Sequence, residues 1–143
     1  MKKQKELIIL IAEDDDGHAE LIKEGLISSG VCNKQIRFSN GLETWEFLLE
    51  TSRTQIINKK AAYLLLLDIN MPKMDGIELL QKIKSNPELK ETPIIMLTTT
   101  DDPREIELCY KNGCNMYVTK PVQFDKFAET LKRMGLFIQI VQV

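Results

Sequence analysis

Tyr63-Leu64-Leu65-Leu66-Leu67-Asp68-Ile69-Asn70-Met71-Pro72-Lys73-Met74-Asp75-Gly76 is the stretch on which the fold turns. Its apolar residues run on without alternation, as they do in a strand covered on both faces. Pro72 and Gly76 punctuate a loop, and Asp75 can cap a helix carrying Ile77, Leu80 and Ile83. Strand, loop and helix in that order form half of a βαβ unit. Between them stands Asp68, a carboxylate at the tip of a buried strand. That placement is costly unless a charged partner meets it there.

The same pattern extends in both directions. Leu7–Ala12 reads as a second fully buried strand. Asp16 caps a helix to about Ser29, with Ala19, Ile22 and Leu26 on one face, and Gly30 ends it. Gln35–Ser39 alternates, as a more exposed strand does, and Leu42, Trp45, Leu48 and Leu49 mark a second helix. Residues 51–61 are polar and read as an exposed loop. Asn86-Pro87 interrupts the third helix, and Pro93–Leu97 is the fourth strand. Asp102-Pro103 opens a fourth helix, with Ile106, Cys109 and Tyr110 facing inward and Gly113 at its end. Met116–Thr119 is a short fifth strand. A last helix begins near Gln123 and carries Phe124, Phe127, Ala128, Leu131 and Met134. Five strand-then-helix units with short connections imply an α/β fold in three layers, a doubly wound parallel sheet between two layers of helices.

The 143 residues suit one domain, with 43% apolar and 28% charged residues in an ordinary balance. A net charge of −2 gives no basic surface for nucleic acid. No apolar run approaches the roughly 20 residues needed to span a membrane. The start, Met1 to Glu6, is basic, but the apolar stretch after it is too short for a signal peptide, so the expected location is cytoplasmic. Cys32, Cys109 and Cys114 have no metal-ligand spacing and read as free structural thiols. His18, the single histidine, reads as a surface or helix-face residue.

Parallel sheets bind ligands beyond the C-terminal ends of their strands. Glu13 and Asp14 follow the first strand, Asp68 the third, Thr98 the fourth and Lys120-Pro121 the fifth. Each alone could be a cap or a surface group. Together they place three carboxylates, a hydroxyl and a cation at one sheet edge. Three carboxylates in a semi-dry pocket repel one another, and a divalent cation relieves that repulsion. All-oxygen ligands suit Mg2+ or Mn2+, with Glu13, Asp14 and Asp68 as side-chain ligands and Asn70 giving its backbone carbonyl. Asp68 is then a nucleophile toward phosphorus, with Lys120 supplying positive charge and Thr98 a hydrogen-bond donor. A tight turn that points Lys120 inward makes Lys120–Pro121 a candidate cis peptide.

At these residues the chain resembles the response-regulator receiver domain, the CheY-like family, over essentially its whole length. The matching residues are Ile-Ala-Glu13-Asp14-Asp15, Leu-Leu-Asp68-Ile-Asn-Met-Pro-Lys-Met-Asp75-Gly76, Ile-Ile-Met-Leu-Thr98 and Tyr117-Val-Thr-Lys120-Pro121. The resemblance implies a flavodoxin-like five-stranded sheet in the order 2-1-3-4-5. It implies phosphoryl transfer to Asp68 from a histidine kinase or a phosphotransfer protein, with Mg2+. It also implies a switch in which Thr98 and Tyr117 move together and reshape the face of fourth helix, fifth strand and fifth helix. On this reading 1–143 is a single receiver domain without an output domain, a signalling phosphoacceptor rather than an enzyme.

The ends of the resemblance point further. The segment 51–61 and the terminal 136–143 are similar to those of small receivers that pair with phytochrome-type sensor kinases, although Phe137 is the tail's single aromatic and Gly135 lies at its joint. Six of the eight residues in 136–143 are apolar, which disfavours free exposure. The expectation is a symmetric homodimer through the last helix and this extension, helix or strand, with the tail folded on its own core as the alternative. Two other functions fit less well. A haloacid-dehalogenase-like phosphatase would need an acid where Asn70 stands. A receiver-fold binding module that takes no phosphate would have no use for the complete set of site residues.

Overall fold

The computed structural model describes residues 6–58 and 61–141. Among the described residues five strands and five helices alternate. They are β1 (Glu6–Ala12), α1 (Asp16–Ser28), β2 (Gln35–Phe38), α2 (Gly41–Asn58) and β3 (Ala61–Leu67). Then come α3 (Gly76–Ser85), β4 (Ile94–Thr98), α4 (Pro103–Lys111), β5 (Met116–Thr119) and α5 (Phe124–Val141). All strand pairs are parallel, and the order is β2-β1-β3-β4-β5. This is the flavodoxin-like arrangement expected from the sequence.

The unbroken apolar runs follow from coverage on both faces. Ile8, Leu10, Leu65, Leu67, Ile94 and Met96 face a core completed by Leu48 of α2, Leu79, Leu80 and Ile83 of α3 and Cys109 of α4. Ile9, Ile11, Leu64, Leu66, Ile95 and Leu97 face the other core, completed by Ile22 and Leu26 of α1 and Phe127, Leu131, Met134 and Ile138 of α5. Alternate residues of one strand thus serve opposite layers.

Several expectations are corrected. The segment 51–58 is helical, because α2 runs on to Asn58. No glycine or proline interrupts it, and Thr51 and Ser52 donate their hydroxyls to the carbonyls of Leu48 and Leu49. Residues 59 and 60 lie outside the described residues. Asp15, not Asp16, caps α1, accepting from the His18 backbone N–H. Leu42 is exposed in the first turn of α2, and the inward place is taken by Thr44, whose hydroxyl donates to Asn40 O. Ala128 is exposed, one step round α5 from the buried Phe127-Leu131-Met134-Ile138 stripe. Tyr110 is also exposed, because its hydroxyl turns to the free edge of β5 and accepts the Tyr117 N–H at 3.0 Å.

The terminal extension belongs to α5 as far as Val141, and 142–143 lie outside the described residues. Gly135 is not a joint but a close approach within the helix, since a Cβ there would overlap the Ser29 hydroxyl. Ile138 is fully buried and Gln139 donates to Ser29 O at 2.6 Å, so this part of the tail packs on its own domain. Leu136 and Phe137 remain exposed.

Candidate functional site

Strand register brings the site together. Ala12 of β1 aligns with Leu67 of β3, and Leu67 with Met96 of β4. The ladder then continues one residue past the strands. Glu13 N donates to Phe38 O at 3.0 Å, Asp68 N to Ala12 O at 3.1 Å and Lys120 N to Thr98 O at 2.7 Å. Glu13, Asp68 and Lys120 therefore each hang from a backbone hydrogen bond to the neighbouring strand, which fixes their height above the sheet.

Glu13, Asp68, Thr98 and Lys120 are buried, while Asp14 is exposed. The Lys120 ammonium donates to Glu13 Oε1, to which it is closely ion-paired, and to Asp68 Oδ2 at 3.2 Å. Glu13 Oε2 accepts the Asp15 N–H at 3.1 Å. Burial pushes the Glu13 carboxyl up to about 7, with Asp68 adding repulsion and Lys120 opposing. No cis peptide bond occurs among the described residues, so Lys120–Pro121 is trans. The expected cis bond is not needed, because the alternation of β5 already points Lys120 inward after the exposed Thr119.

One carboxylate oxygen each from Glu13, Asp14 and Asp68 lie within 4.8 Å of one another. An all-oxygen set with this excess of negative charge fits a hard divalent cation. Asn70 is exposed two residues past Asp68, in the loop leading to α3. That loop is tightly built. Lys73 takes a left-handed φ of 65°, and Gly76 N donates to Ile69 O at 2.7 Å. Gly76 lies so close behind the site that a Cβ there would overlap the Asp68 carbonyl oxygen.

Thr98 is fully buried and its hydroxyl has no hydrogen-bond partner among the described residues. An orphaned hydroxyl in a packed interior is unfavourable, and its place at the end of β4, the strand next to the one that carries Asp68, suits a donor held for an anionic oxygen. Tyr117, half-buried on β5, donates its hydroxyl to Thr100 O at 2.6 Å, two residues beyond Thr98. Burial pushes its phenol above the ordinary range.

Two further residues join the site. Arg37, on the edge strand β2, donates from Nε and Nη2 to Glu13 O at 2.9 and 2.8 Å, and from Nη1 to Asp16 at 2.7 Å. Its only signal in the sequence is its register opposite Ile11, two residues before Glu13. His18, expected at the surface, places Nδ1 3.2 Å from Lys120 Nζ and stacks on Phe127. It stands in the first turn of α1, four residues past Asp14 and five past Glu13, and that closeness in sequence was the available signal.

Known proteins share this architecture. The chain is 35% identical to response regulator Rcp1 of Synechocystis sp. over 113 residues, covering 79% of this chain and 76% of that protein. A response regulator receiver domain from Rhodospirillum rubrum superposes with a TM-score of 0.86 at 41% identity, covering 93% of this chain and 94% of that one. The Mn2+-bound form of Rcp1 gives 0.80 at 30%, covering 92% and 93%. The phosphorylated cyanobacterial phytochrome response regulator RcpA gives 0.76 at 31%, covering 91% of each chain. The family model of the response regulator receiver domain matches residues 9–132. By the family model, by sequence identity and by fold, the chain belongs to the response regulator receiver domain family of two-component signalling.

Proposed function

We propose that the chain is a single-domain response regulator whose Asp68 accepts a phosphoryl group from a histidine kinase or phosphotransfer protein. The observation that carries this reading is the set of groups around one carboxylate. Asp68 lies 3.2 Å from the Lys120 ammonium and within 4.8 Å of the Glu13 and Asp14 carboxylates, and the neighbouring strand β4 ends at Thr98, whose buried hydroxyl has no partner among the described residues.

An Asp68 oxygen attacks phosphorus as the bond to the donor's leaving group breaks, giving an acyl phosphate. The electron pair of the broken bond leaves with the donor group, which takes a proton from solvent. Lys120 compensates charge on the phosphoryl oxygens, and Thr98 donates to one of them. Glu13, Asp14, Asp68 and the Asn70 carbonyl would hold Mg2+ or Mn2+, which supplies charge neutralisation and a ligand position for a phosphoryl oxygen. The cation's presence in Mn2+-bound Rcp1, and the phosphoryl group in RcpA, support the reading by likeness. The chain speeds only its own phosphorylation and dephosphorylation, so it is a signalling phosphoacceptor and not an enzyme in the ordinary sense.

The switch is Thr98 moving toward the phosphoryl group, with Tyr117 following. Tyr117 is tied to the stretch after β4 through Thr100 and to α4 through Tyr110, so its displacement alters the α4-β5-α5 face. The partner kinase is of the phytochrome type, a reading supported by likeness to RcpA. The chain acts in the cytoplasm and not on nucleic acid or membrane; no described helix is long and apolar enough to cross a bilayer.

A homodimer through α5 would cover Leu136 and Phe137, both exposed. Because Ile138 is a core residue, substitution tests this better than truncation. Leu136→Glu with Phe137→Glu should turn a dimer into a monomer on sizing; an unchanged elution speaks against the dimer.

The function itself is tested by incubation with a small phosphodonor and Mg2+. A hydroxylamine-labile mass gain of one phosphoryl group is expected, absent without Mg2+. No gain with Mg2+ present would refute the signalling reading.

A further inference from the structure

The Lys120 ammonium has three N–H donors and accepts nothing. Three side-chain acceptors stand round it: Glu13 Oε1, Asp68 Oδ2 at 3.2 Å and His18 Nδ1 at 3.2 Å. Two of these belong to the carboxylate site. The third is the chain's single histidine, from the first turn of α1.

Because Lys120 can only donate, Nδ1 of His18 must accept, which puts the ring proton on Nε2. Two contacts fix the residue, one at its backbone and one at its ring. Its own backbone N–H is bound to the Asp15 carboxylate at 2.9 Å, and its ring stacks on Phe127 of α5 with centroids 5.9 Å apart and planes 26° from parallel. The choice of group follows from the charge around it. Three carboxylates already crowd the pocket, so a further acid would add repulsion, whereas an imidazole nitrogen accepts without charge. An apolar side chain would leave the third ammonium proton to solvent.

We propose that His18 is a positioning residue that holds Lys120 Nζ in place for the Asp68 reaction, resting on the reading of Asp68 as phosphoacceptor. Glu13 and Asp68 pull the ammonium from the sheet side, and His18 restrains it from the α1 side. Through Phe127 the same ring ties the position of Lys120 to α5.

The test compares wild type with His18→Ala and His18→Asn, whose amide oxygen can take the place of Nδ1. The initial rate of phosphorylation by a small phosphodonor at saturating Mg2+ is measured beside the Mg2+ dissociation constant. His18→Ala should slow phosphorylation about tenfold, the lower range for a lost hydrogen bond to a charged group. His18→Asn should recover most of that rate, and Mg2+ affinity should be unchanged in both. A wild-type rate in His18→Ala overturns the proposal. So does an Asn variant as slow as Ala, or a rate loss that merely follows weakened Mg2+ binding. A second readout does not depend on phosphorylation. The 15N spectrum of the single imidazole, at about pH 8 where an ordinary imidazole is neutral, should show a bare Nδ1 whose shift changes in Lys120→Met. A protonated Nδ1, or no response to that substitution, overturns the contact. If wild type takes no phosphoryl group while this spectrum appears as expected, the phosphoacceptor reading fails and the His18–Lys120 contact stands.

Discussion

Lys120 Nζ stands 3.2 Å from Asp68 Oδ2 although their strands do not touch, since β4 lies between β3 and β5. The lysine reaches across the end of β4 to meet the carboxylate, and it meets Glu13 as well. Removing it leaves two buried acids without their cation. Lys120→Met should destabilise the metal-free protein by about 3–5 kcal/mol. Mg2+ should return part of that loss, because it binds only the folded state. Urea unfolding with chelator and with Mg2+ measures both. A variant as stable as wild type in chelator would show that the ion pairs contribute nothing.

Thr98 leads to a substitution that separates stability from signalling. Its buried hydroxyl has no partner among the described residues, so Thr98→Val removes an unfavourable group at nearly constant shape. Stability should hold or rise by about 1 kcal/mol. Phosphorylation-dependent binding of a partner should be lost, because the donor that senses the phosphoryl oxygen has gone. A clear drop in unfolding midpoint would mean that the hydroxyl has a partner after all.

Glu13 gives the metal-free protein a pH dependence. Its carboxyl lies near 7 when folded and at its ordinary 4.5 when unfolded, chiefly because burial disfavours the charge. Between those values the folded chain keeps a proton that the unfolded chain has released. Stability from this group is fully present below 4.5 and is lost as pH rises through 7. The span is on the order of 3 kcal/mol. Asp15 and Asp102 are shifted downward, so their effects fall below 3.8 and outside this window. In chelator the melting temperature should fall from about pH 5 to about pH 8, and Glu13→Gln should flatten the slope. A rise across the same range would contradict this account.

Gly76 secures the Asp68 backbone from behind. Any Cβ there meets the Asp68 carbonyl oxygen, so the start of α3 or the tip of β3 must shift. Gly76→Ala should cost about 2–3 kcal/mol, as overpacking does, and should weaken Mg2+ binding by moving Asp68. Calorimetric titration with Mg2+ reads the second effect; full affinity in a destabilised variant would show that the strain is absorbed away from Asp68.

Much of this was legible in the sequence because the signals were local. Unbroken apolar runs located the buried strands. Acids, a threonine and a lysine at their C-terminal ends located the site, since register alone decides what meets there. What was missed lies in contacts that composition does not show, one of them local to a helix and the others tertiary. The polar end of α2 resembles a loop because its hydroxyls are satisfied by the helix's own carbonyls, which composition does not reveal. Gly135 resembles a break until Ser29 is found against it. His18 looked like a surface residue because its partners, Lys120 and Phe127, come from elements more than 100 residues away. Tyr110 looked buried by helical phase, yet its hydroxyl serves the edge of β5.

The central claim is that Asp68 carries the phosphoryl group, and an acyl phosphate can be trapped where it forms. Borohydride reduces an aspartyl phosphate to homoserine. Wild type treated with a small phosphodonor and Mg2+, reduced, digested and mapped by mass spectrometry should carry homoserine at position 68 and nowhere else. Homoserine at Asp14, Asp15 or another acid with Asp68 intact, or none in protein that has gained a phosphoryl group, would contradict the account.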